Sequence, residues 1–316
     1  MNDPVVASTS FAEDVRHHLR LTPRQLPSRY LYDPLGSALF DAICELPWYG
    51  ITRVENRLIA DHRGEIFAHL PGLTRIVELG PGDGRKLQTL VEGRSAALSA
   101  HLIDVSAGAL LRAAHTLSDA THLTIVTREG SFEDGLDEIA RLPRDGGPPL
   151  VLFLGSNIGN LDPPASLAWL RRMRVALGRG GTLLLGADLV KPEPDLLLAY
   201  DDPLGVSAAF NLNVLLRINR ELGGRFDVRA FRHRAVWNAA CSRMEMYVVS
   251  TREQRVRIEA IDLDLELAEG DAIWTESSYK YTAEGVRRQL DDAGFESTAQ
   301  WIDRDETFVL TLARAT

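Results

Sequence analysis

The middle of the chain alternates short apolar runs with amphipathic segments. The apolar runs predict five strands: Thr74–Leu79, Ala100–Ile103, Leu123–Thr127, Pro149–Leu154 and Thr182–Ala187. The segments between them predict four helices: Arg85–Leu98, Ala107–Leu117, Phe132–Arg141 and Ala165–Leu177. Short apolar runs are typical of strands buried on both faces, and strands that alternate with helices form parallel sheets. The sequence therefore predicts an α/β fold with helices on both faces of a parallel sheet.

The two flanks of this core have a different pattern. Residues before about 60 are rich in aromatic and turn residues. Residues from about 190 to 280 combine predicted helices with strands that alternate β-branched and aromatic positions: Asp195–Ala199, Gly205–Glu221, Arg232–Ala239, Ser242–Thr251 and Val256–Ala260. A final hairpin is predicted at Ser297–Asp303 and Glu306–Ala313. We therefore expect one domain from residues 61–189 and 281–316, and a second α+β domain from residues 1–60 and 190–280.

Composition narrows the classes of partner. The 316 residues carry a formal net charge of −9, and no Lys/Arg-rich run is visible. Binding to nucleic acid requires a basic surface, so we expect no nucleic-acid partner, and no membrane partner for the same reason. The only cysteines are Cys44 and Cys241, which implies no disulfide framework and favours the cytoplasm. No Cys/His cluster has zinc spacing, so we expect no metal.

A glycine-rich turn follows the first predicted strand. Glu78 is followed by glycines at positions 80, 82 and 84. A dinucleotide fingerprint would place a third glycine at position 85, which is Arg85 here, so a hydride-transferring dehydrogenase is excluded. The Gly-Lys-Ser/Thr ending of a P-loop is also missing. Glu-x-Gly-x-Gly-x-Gly after the first strand is typical of S-adenosylmethionine-dependent methyltransferases, and the alternative is an ordinary strand-to-helix turn.

Three more groups of polar residues could bind ligands. Asp104 ends the second strand, where a carboxylate can accept both ribose hydroxyls, although it could instead cap the next helix. Asn157 and Asn160 follow a buried strand and could bind a carboxylate or orient an amine, unless they only cap the loop. Glu276 and Ser278 would share one face of an extended segment, and a solvated face is the alternative.

At these segments the chain resembles a known family, the histidine Nα-methyltransferases that make hercynine in ergothioneine biosynthesis. The resemblance runs from about residue 20 to the end and rests on long family-specific stretches: Leu31–Phe40, Leu154–Leu161, Gly186–Lys191, Ala199–Asp202, Phe210–Leu215 and Ile218–Leu222. It implies a Rossmann-like class I methyltransferase sheet that binds S-adenosylmethionine, with a second α+β substrate domain built from both flanks. It also implies Nα-methylation of L-histidine, up to trimethylhistidine.

The resemblance implies a role for each matching position. The residues expected to contact S-adenosylmethionine are Gly80, Lys86, Asp104, Ser131 and Phe132. Those expected to contact histidine are Tyr49, Asn160, Tyr200, Glu276, Ser277 and Ser278. Within the second set, Asn160 and Tyr200 would hold the carboxylate, while Tyr49, Glu276 and Ser278 would surround the imidazole. Tyr32 and Asn160 would lie at the reacting centre.

The chain departs from the family pattern in three places. Ser131 replaces an acidic residue that bonds the adenine amine, and Asn157 replaces a threonine. Gly50 and Ile51 replace a Tyr-Pro pair after Tyr49. The last two departures concern the substrate, so two alternatives stay open. The first is an N-methyltransferase for another amino acid or a histidine derivative, and the second is a non-catalytic cofactor-binding module. The sequence leaves the oligomeric state open, with a monomer expected.

Overall fold

The computed structural model describes residues 10–120, 122–143, 147–305 and 307–316. They fall into two compact units. Unit 1 contains the residues up to Tyr49 and Pro192–Ser278, and unit 2 contains Gly50–Lys191 and Tyr279–Thr316. The first boundary therefore lies at Tyr49/Gly50 instead of residue 60. Residues 1–9 of the predicted α+β domain lie outside the described residues.

The regular elements have the following bounds in chain order. The helices are α1 (Phe11–His18), α2 (Pro34–Glu45), α3 (Ile51–Ala68), α4 (Arg85–Val91), α5 (Ala107–Thr116), α6 (Phe132–Arg141), α7 (Pro163–Leu177), α8 (Glu193–Tyr200), α9 (Val206–Leu222) and α10 (Ala283–Asp292). The strands are β1 (Arg75–Leu79), β2 (Leu98–Asp104), β3 (Leu123–Glu129), β4 (Leu150–Phe153), β5 (Thr182–Asp188), β6 (Phe231–Asn238), β7 (Arg243–Ser250), β8 (Gln254–Ile258), β9 (Leu263–Leu267), β10 (Ala272–Tyr279), β11 (Phe295–Ile302) and β12 (Phe308–Ala315).

Unit 2 is built on a seven-stranded sheet in the order β11-β12-β5-β4-β1-β2-β3. The five strands β1 to β5 run parallel to one another, while β12 runs antiparallel to both β5 and β11. The central strands β4 and β5 are fully buried, as their continuous apolar runs predict. The chain changes direction across the sheet between β1 and β4, which is where open α/β sheets bind ligands. The predicted α/β class and Rossmann-like sheet are confirmed.

Some predicted boundaries are wrong. The helix expected to reach Leu98 ends at Val91, and Leu98 is instead the first residue of β2. Gly93 follows with a φ of +78°, a conformation that ends a helix readily. The final hairpin is confirmed as the antiparallel pair β11 and β12, and its predicted residue Glu306 lies outside the described residues. Helix α3 belongs to unit 2 because it packs against α4 and β12.

Unit 1 combines helices with two small sheets. One sheet has the order β10-β7-β6 and the other is the antiparallel pair β8 and β9. Helix α2 begins at Pro34 because Asp33 caps it, accepting a hydrogen bond from the Gly36 N–H at 2.7 Å. Helix α9 packs against α2, β6 and β7. The α+β character expected for this region is therefore present.

Candidate active site

The glycine turn of unit 2 joins β1 to α4 at the sheet's direction change. Gly80 has a φ of +73°, which side chains rarely adopt. A Cβ there would lie 3.1 Å from Nδ2 of Asn157 and 3.4 Å from Cε1 of Phe132. A Cβ on Gly84 would lie 2.9 Å from Cα of Ala113, so this glycine lets α5 approach the turn. The structure thus brings Gly80, Phe132 and Asn157 together.

Asp104 ends β2 beside this turn. Its Oδ1 accepts a hydrogen bond from the Ser106 N–H at 2.9 Å. Ser106 is the residue that caps α5, accepting from the Ala109 N–H at 3.3 Å, so the capping alternative for Asp104 is wrong. Burial raises the pKa of the Asp104 carboxyl, and hydrogen bonds from the Ser106 and Gly82 backbones oppose that shift. A half-buried carboxylate at this strand end is suited to a pair of hydroxyls, and its contact with ribose stays a prediction.

Ser131 and Phe132 begin α6. The Ser131 hydroxyl accepts from the Asp134 N–H and donates to the Asp134 carboxylate at 2.8 Å, which forms a capping box. This capping engages the side chains of both Ser131 and Asp134. The Phe132 ring packs edge-on against Phe153 with centroids 5.3 Å apart. Phe132 therefore presents a fixed aromatic surface next to the turn.

A buried ion pair lies beside the turn. Lys86, in the first turn of α4, pairs with Glu55 of α3, whose side chain is fully buried. The N–H of Gly155 also donates to the two Glu55 oxygens, at 2.9 and 2.8 Å. Sequence reasoning missed Glu55, although a signal existed. It occupies the apolar face of α3 with Ile51 and Ile59, where a charged residue needs a buried partner.

Glu78, next to the glycine turn, is fully buried. Burial raises the pKa of its carboxyl to about 8. The positive charge of Lys86 acts to lower this pKa, whereas the nearby Glu55 raises it further. Its Oε2 makes no hydrogen bond to any residue that the structure describes. A buried polar atom of this kind needs a partner, and a bound ligand can supply one.

Asn160 lies at the end of a short 3-10 turn, Asn157–Asn160, in unit 2. The turn is fixed by Ser156, whose hydroxyl accepts from the Asp188 N–H at 3.0 Å. Asp188 in turn pairs with Lys280 at 2.7 Å and with Lys191 at 2.6 Å. The two predicted amides are therefore placed by a buried set of charged groups at the end of β5.

The predicted site residues of unit 1 include three tyrosines that belong to one aromatic cluster: Tyr32 from the reacting centre, and Tyr49 and Tyr200 from the substrate contacts. Tyr32 packs edge-on against Phe40 and Phe210, with centroids 5.4 and 5.3 Å apart. Tyr49 lies 6.1 Å from Phe40 and 6.3 Å from Tyr200. Three tyrosines that are far apart in the sequence thus come together, as their shared assignment to a histidine site would require.

Tyr200 connects this cluster to β10. Its hydroxyl donates to the hydroxyl of Ser278 at 2.8 Å. Glu276 and Ser278 are both buried and Ser277 between them is more exposed, which confirms that Glu276 and Ser278 share one face of an extended segment. The alternative of a solvated face is wrong. The contacts of Glu276, Ser277 and Ser278 with histidine stay predictions.

A second network behind Tyr200 was missed from the sequence. Nε2 of His233 lies 2.9 Å from the carbonyl oxygen of Tyr200, and Nδ1 lies 2.8 Å from Nδ2 of Asn211. The Thr275 hydroxyl donates to Oδ1 of Asn211 at 2.6 Å. Burial lowers the pKa of His233, opposed by its hydrogen bond to Tyr200 and by Asp201 and Asp202. A neutral ring that donates from Nε2 and accepts at Nδ1 satisfies both contacts.

Two further features concern metals and membranes. Within the described ranges, no group of three or more His, Cys, Asp or Glu side chains is arranged to hold a metal ion. No helix in the described part of the chain is both long and apolar enough to cross a bilayer.

The sheet order with its antiparallel β12 and the Glu-x-Gly-x-Gly-x-Gly turn define a class I methyltransferase. Residues 11–315 match the family described as histidine-specific methyltransferase, SAM-dependent. The chain belongs to this family. It is 40% identical over 311 residues to the histidine N-alpha-methyltransferase of Mycolicibacterium smegmatis, covering 97% of this chain and 95% of that one.

Two other relatives extend the comparison. The histidine N-alpha-methyltransferase of Mycobacterium tuberculosis is 40% identical over 304 residues, covering 95% of this chain and 93% of that protein. Ergothioneine biosynthesis protein 1 of Neurospora crassa is 28% identical over 300 residues, covering 93% of this chain and 33% of the fungal protein.

Proposed function

We propose that the protein transfers methyl groups from S-adenosylmethionine to the α-amine of L-histidine, up to trimethylhistidine, as a step of ergothioneine biosynthesis. The family match over residues 11–315 supports the reaction class. The observation that carries the substrate assignment is the convergence of Tyr32, Tyr49, Tyr200 and Ser278 in unit 1. The closeness of these residues supports their assignment to one site.

The residues of unit 2 fit S-adenosylmethionine. Gly80 keeps the turn free of a side chain, and Asp104 presents a carboxylate for the ribose hydroxyls. Lys86 would hold the methionine carboxylate, while the orphaned Oε2 of Glu78 would accept from the methionine ammonium. Phe132 would pack against the adenine. When bound, the cofactor supplies an electrophilic methyl group on a sulfonium.

The protein's part in the transfer is to position the amine and set its surroundings. Asn160 would donate to the substrate carboxylate from its amide, and the Tyr200 O–H would turn from Ser278 to donate to it as well. Both donors are neutral, so they add no positive charge beside the sulfonium. Glu276 would accept a hydrogen bond from the imidazole ring. Before each transfer the substrate ammonium would lose a proton to water, so that the free amine lone pair could accept the methyl group as the bond from that methyl group to the sulfonium sulfur breaks.

The test is direct. Purified protein is incubated with S-adenosylmethionine and L-histidine, and the products are separated by mass spectrometry. We expect mono-, di- and trimethylhistidine in sequence. A panel with tryptophan, tyrosine and histidine derivatives measures selectivity, because the departures at Asn157 and Gly50 concern the substrate. The absence of methylated histidine together with no thermal shift on adding histidine would contradict the assignment.

We further propose that the protein acts in the cytoplasm as a monomer. Its low cysteine content is consistent with a reducing compartment. Size-exclusion chromatography with light scattering measures the mass, for which a monomer gives 34.9 kDa. A larger mass that persists on dilution would contradict this part of the proposal.

A further inference from the structure

Four elements of unit 2 converge on the carboxylate of Glu55. The residue comes from α3, and its oxygens accept the Gly155 N–H that follows β4. Lys86 of α4 forms the ion pair. A Cβ on Gly186 of β5 would lie only 1.9 Å from Oε1 of Glu55, so the absence of a side chain there makes the space for the carboxylate. The surrounding residues therefore provide a specific binding place for this carboxylate: a backbone donor, a lysine partner and the space left by a glycine.

A fully buried carboxylate is costly unless it is paired and hydrogen-bonded. Glu55 meets both conditions, and its partner is the lysine that we assign to the methionine carboxylate. A lysine ammonium has three donor hydrogens, so an ion pair with Glu55 is compatible with a contact to a bound anion. Glu55 thus restricts where the Lys86 ammonium can lie without touching the ligand.

The charge of the pair matters as much as its geometry. S-adenosylmethionine carries a sulfonium, an ammonium and a carboxylate, hence a net charge of +1. Its product S-adenosylhomocysteine has lost the sulfonium charge and is net neutral. Without the negative charge of Glu55, the Lys86 ammonium would disfavour the positively charged S-adenosylmethionine more than the neutral S-adenosylhomocysteine, because unit charges interact strongly in partly buried sites.

We propose that Glu55 is a positioning residue that fixes Lys86 and balances its charge, so that the cofactor site favours the sulfonium substrate over the thioether product. The proposal rests on the cofactor assignment above. It adds a residue that touches neither ligand and acts through Lys86. The nearby Glu78 does not duplicate this role, since it is assigned to the methionine ammonium, whereas Glu55 forms the ion pair with Lys86.

The experiment measures the dissociation constants of both ligands by calorimetry, without histidine and without turnover. The proteins are the wild type, Glu55→Gln, Lys86→Met and the double variant. We expect Glu55→Gln to weaken the binding of S-adenosylmethionine about tenfold, which is the size of effect expected for one uncompensated charge. The binding of S-adenosylhomocysteine should weaken clearly less. The preference for S-adenosylmethionine should therefore fall in Glu55→Gln.

The double variant separates charge balance from a merely structural role. Removing both charges should weaken the binding of both ligands, because the contact with the methionine carboxylate is lost. The ratio of the two dissociation constants should nevertheless return to within about twofold of the wild-type ratio. Lys86→Met alone should shift the preference toward S-adenosylmethionine. A structural role for Glu55 predicts that Glu55→Gln keeps the wild-type preference and that the double variant has the same preference as Lys86→Met, and that result would overturn the inference.

Two controls keep the outcome clear. Glu65→Gln makes the same change on the same helix, where the carboxylate bonds to Trp301 at 2.8 Å, and should alter neither constant. If Glu55→Gln does not fold, comparing Lys86→Met with the double variant still shows whether Glu55 sets the preference. A wild type that binds neither ligand would contradict the cofactor assignment itself, whereas normal binding with an unaltered preference would contradict only the role of Glu55.

Discussion

The two units fix their candidate ligand-binding residues in different ways. In unit 2 these residues follow the carboxyl ends of parallel strands, and buried charge pairs such as Glu55–Lys86 and Asp188–Lys280 set the loops. In unit 1 the residues are placed by an aromatic cluster and by neutral hydrogen bonds such as Tyr200–Ser278. Topology determines the first arrangement, whereas side-chain packing determines the second. Substitutions of the cofactor residues of unit 2 should therefore leave the affinity for histidine almost unchanged, and substitutions of the substrate residues of unit 1 should leave the affinity for the cofactor almost unchanged.

The largest effect that tests this difference between the units is expected for Glu276→Ala in unit 1. Because Glu276 is buried and assigned to the imidazole, we expect the KM for histidine to rise about 100-fold, as when one partner of a buried charged hydrogen bond is lost. The dissociation constant of S-adenosylmethionine should stay within about twofold. Steady-state kinetics and calorimetry measure the two values. Glu266→Ala, on the exposed face of β9, is the matched control. Equal losses for both ligands would indicate a structural role for Glu276.

The reciprocal substitution is Asp104→Asn in unit 2. An amide accepts from ribose hydroxyls more weakly than a carboxylate, so we expect cofactor affinity to fall about 30-fold, within the range for hydrogen bonds to charged groups. The KM for histidine, measured at saturating cofactor, should be unaffected. Asp119→Asn, at an exposed position of unit 2, should change neither value. A histidine KM that rises as much as the cofactor constant would show that the two sets of residues are not separable.

The same difference explains how far the sequence could predict the molecule. Parallel strands have a strong apolar signal and their ends carry the ligand residues, so Gly80, Asp104 and the Asn157–Asn160 turn could be located from the pattern alone. Helices α1 to α3 were not predicted, because the residues before about 60 were interpreted only as rich in aromatic and turn residues. In α3 a helical signal was present, since its buried residues Ile51, Glu55, Leu58, Ile59 and Ile66 recur at helical spacing. Glu55 and His233 were also missed. Their roles depend on partners about 30 to 100 residues away in the sequence, such as Gly155 and Tyr200.

A smaller effect is expected for Tyr200→Phe, which tests whether the Tyr200 hydroxyl of unit 1 contacts the substrate. The change removes the hydroxyl that donates to Ser278 and keeps the ring that packs near Tyr49. Losing one neutral hydrogen bond of the substrate site should raise the KM for histidine about tenfold. Tyr247→Phe is the matched control, because that hydroxyl bonds to Glu245 in the same unit. If the two variants have the same KM, the Tyr200 hydroxyl does not contact the substrate.

The smallest expected effect concerns pH and the network behind Tyr200. Burial lowers the pKa of His233 in the folded protein, so protonation favours the unfolded chain. The contribution to stability is complete above the ordinary histidine pKa of about 6.5 and is lost as pH falls through and below that value. His233→Gln should therefore flatten the decline in unfolding free energy between about pH 7 and 5, by on the order of 1 kcal/mol. Denaturant titrations at each pH measure the unfolding free energy, and His17→Gln, at an exposed position, is the control. An equally steep decline in His233→Gln would mean that other groups, including His18 with its burial-lowered pKa, account for the acid sensitivity of unit 1.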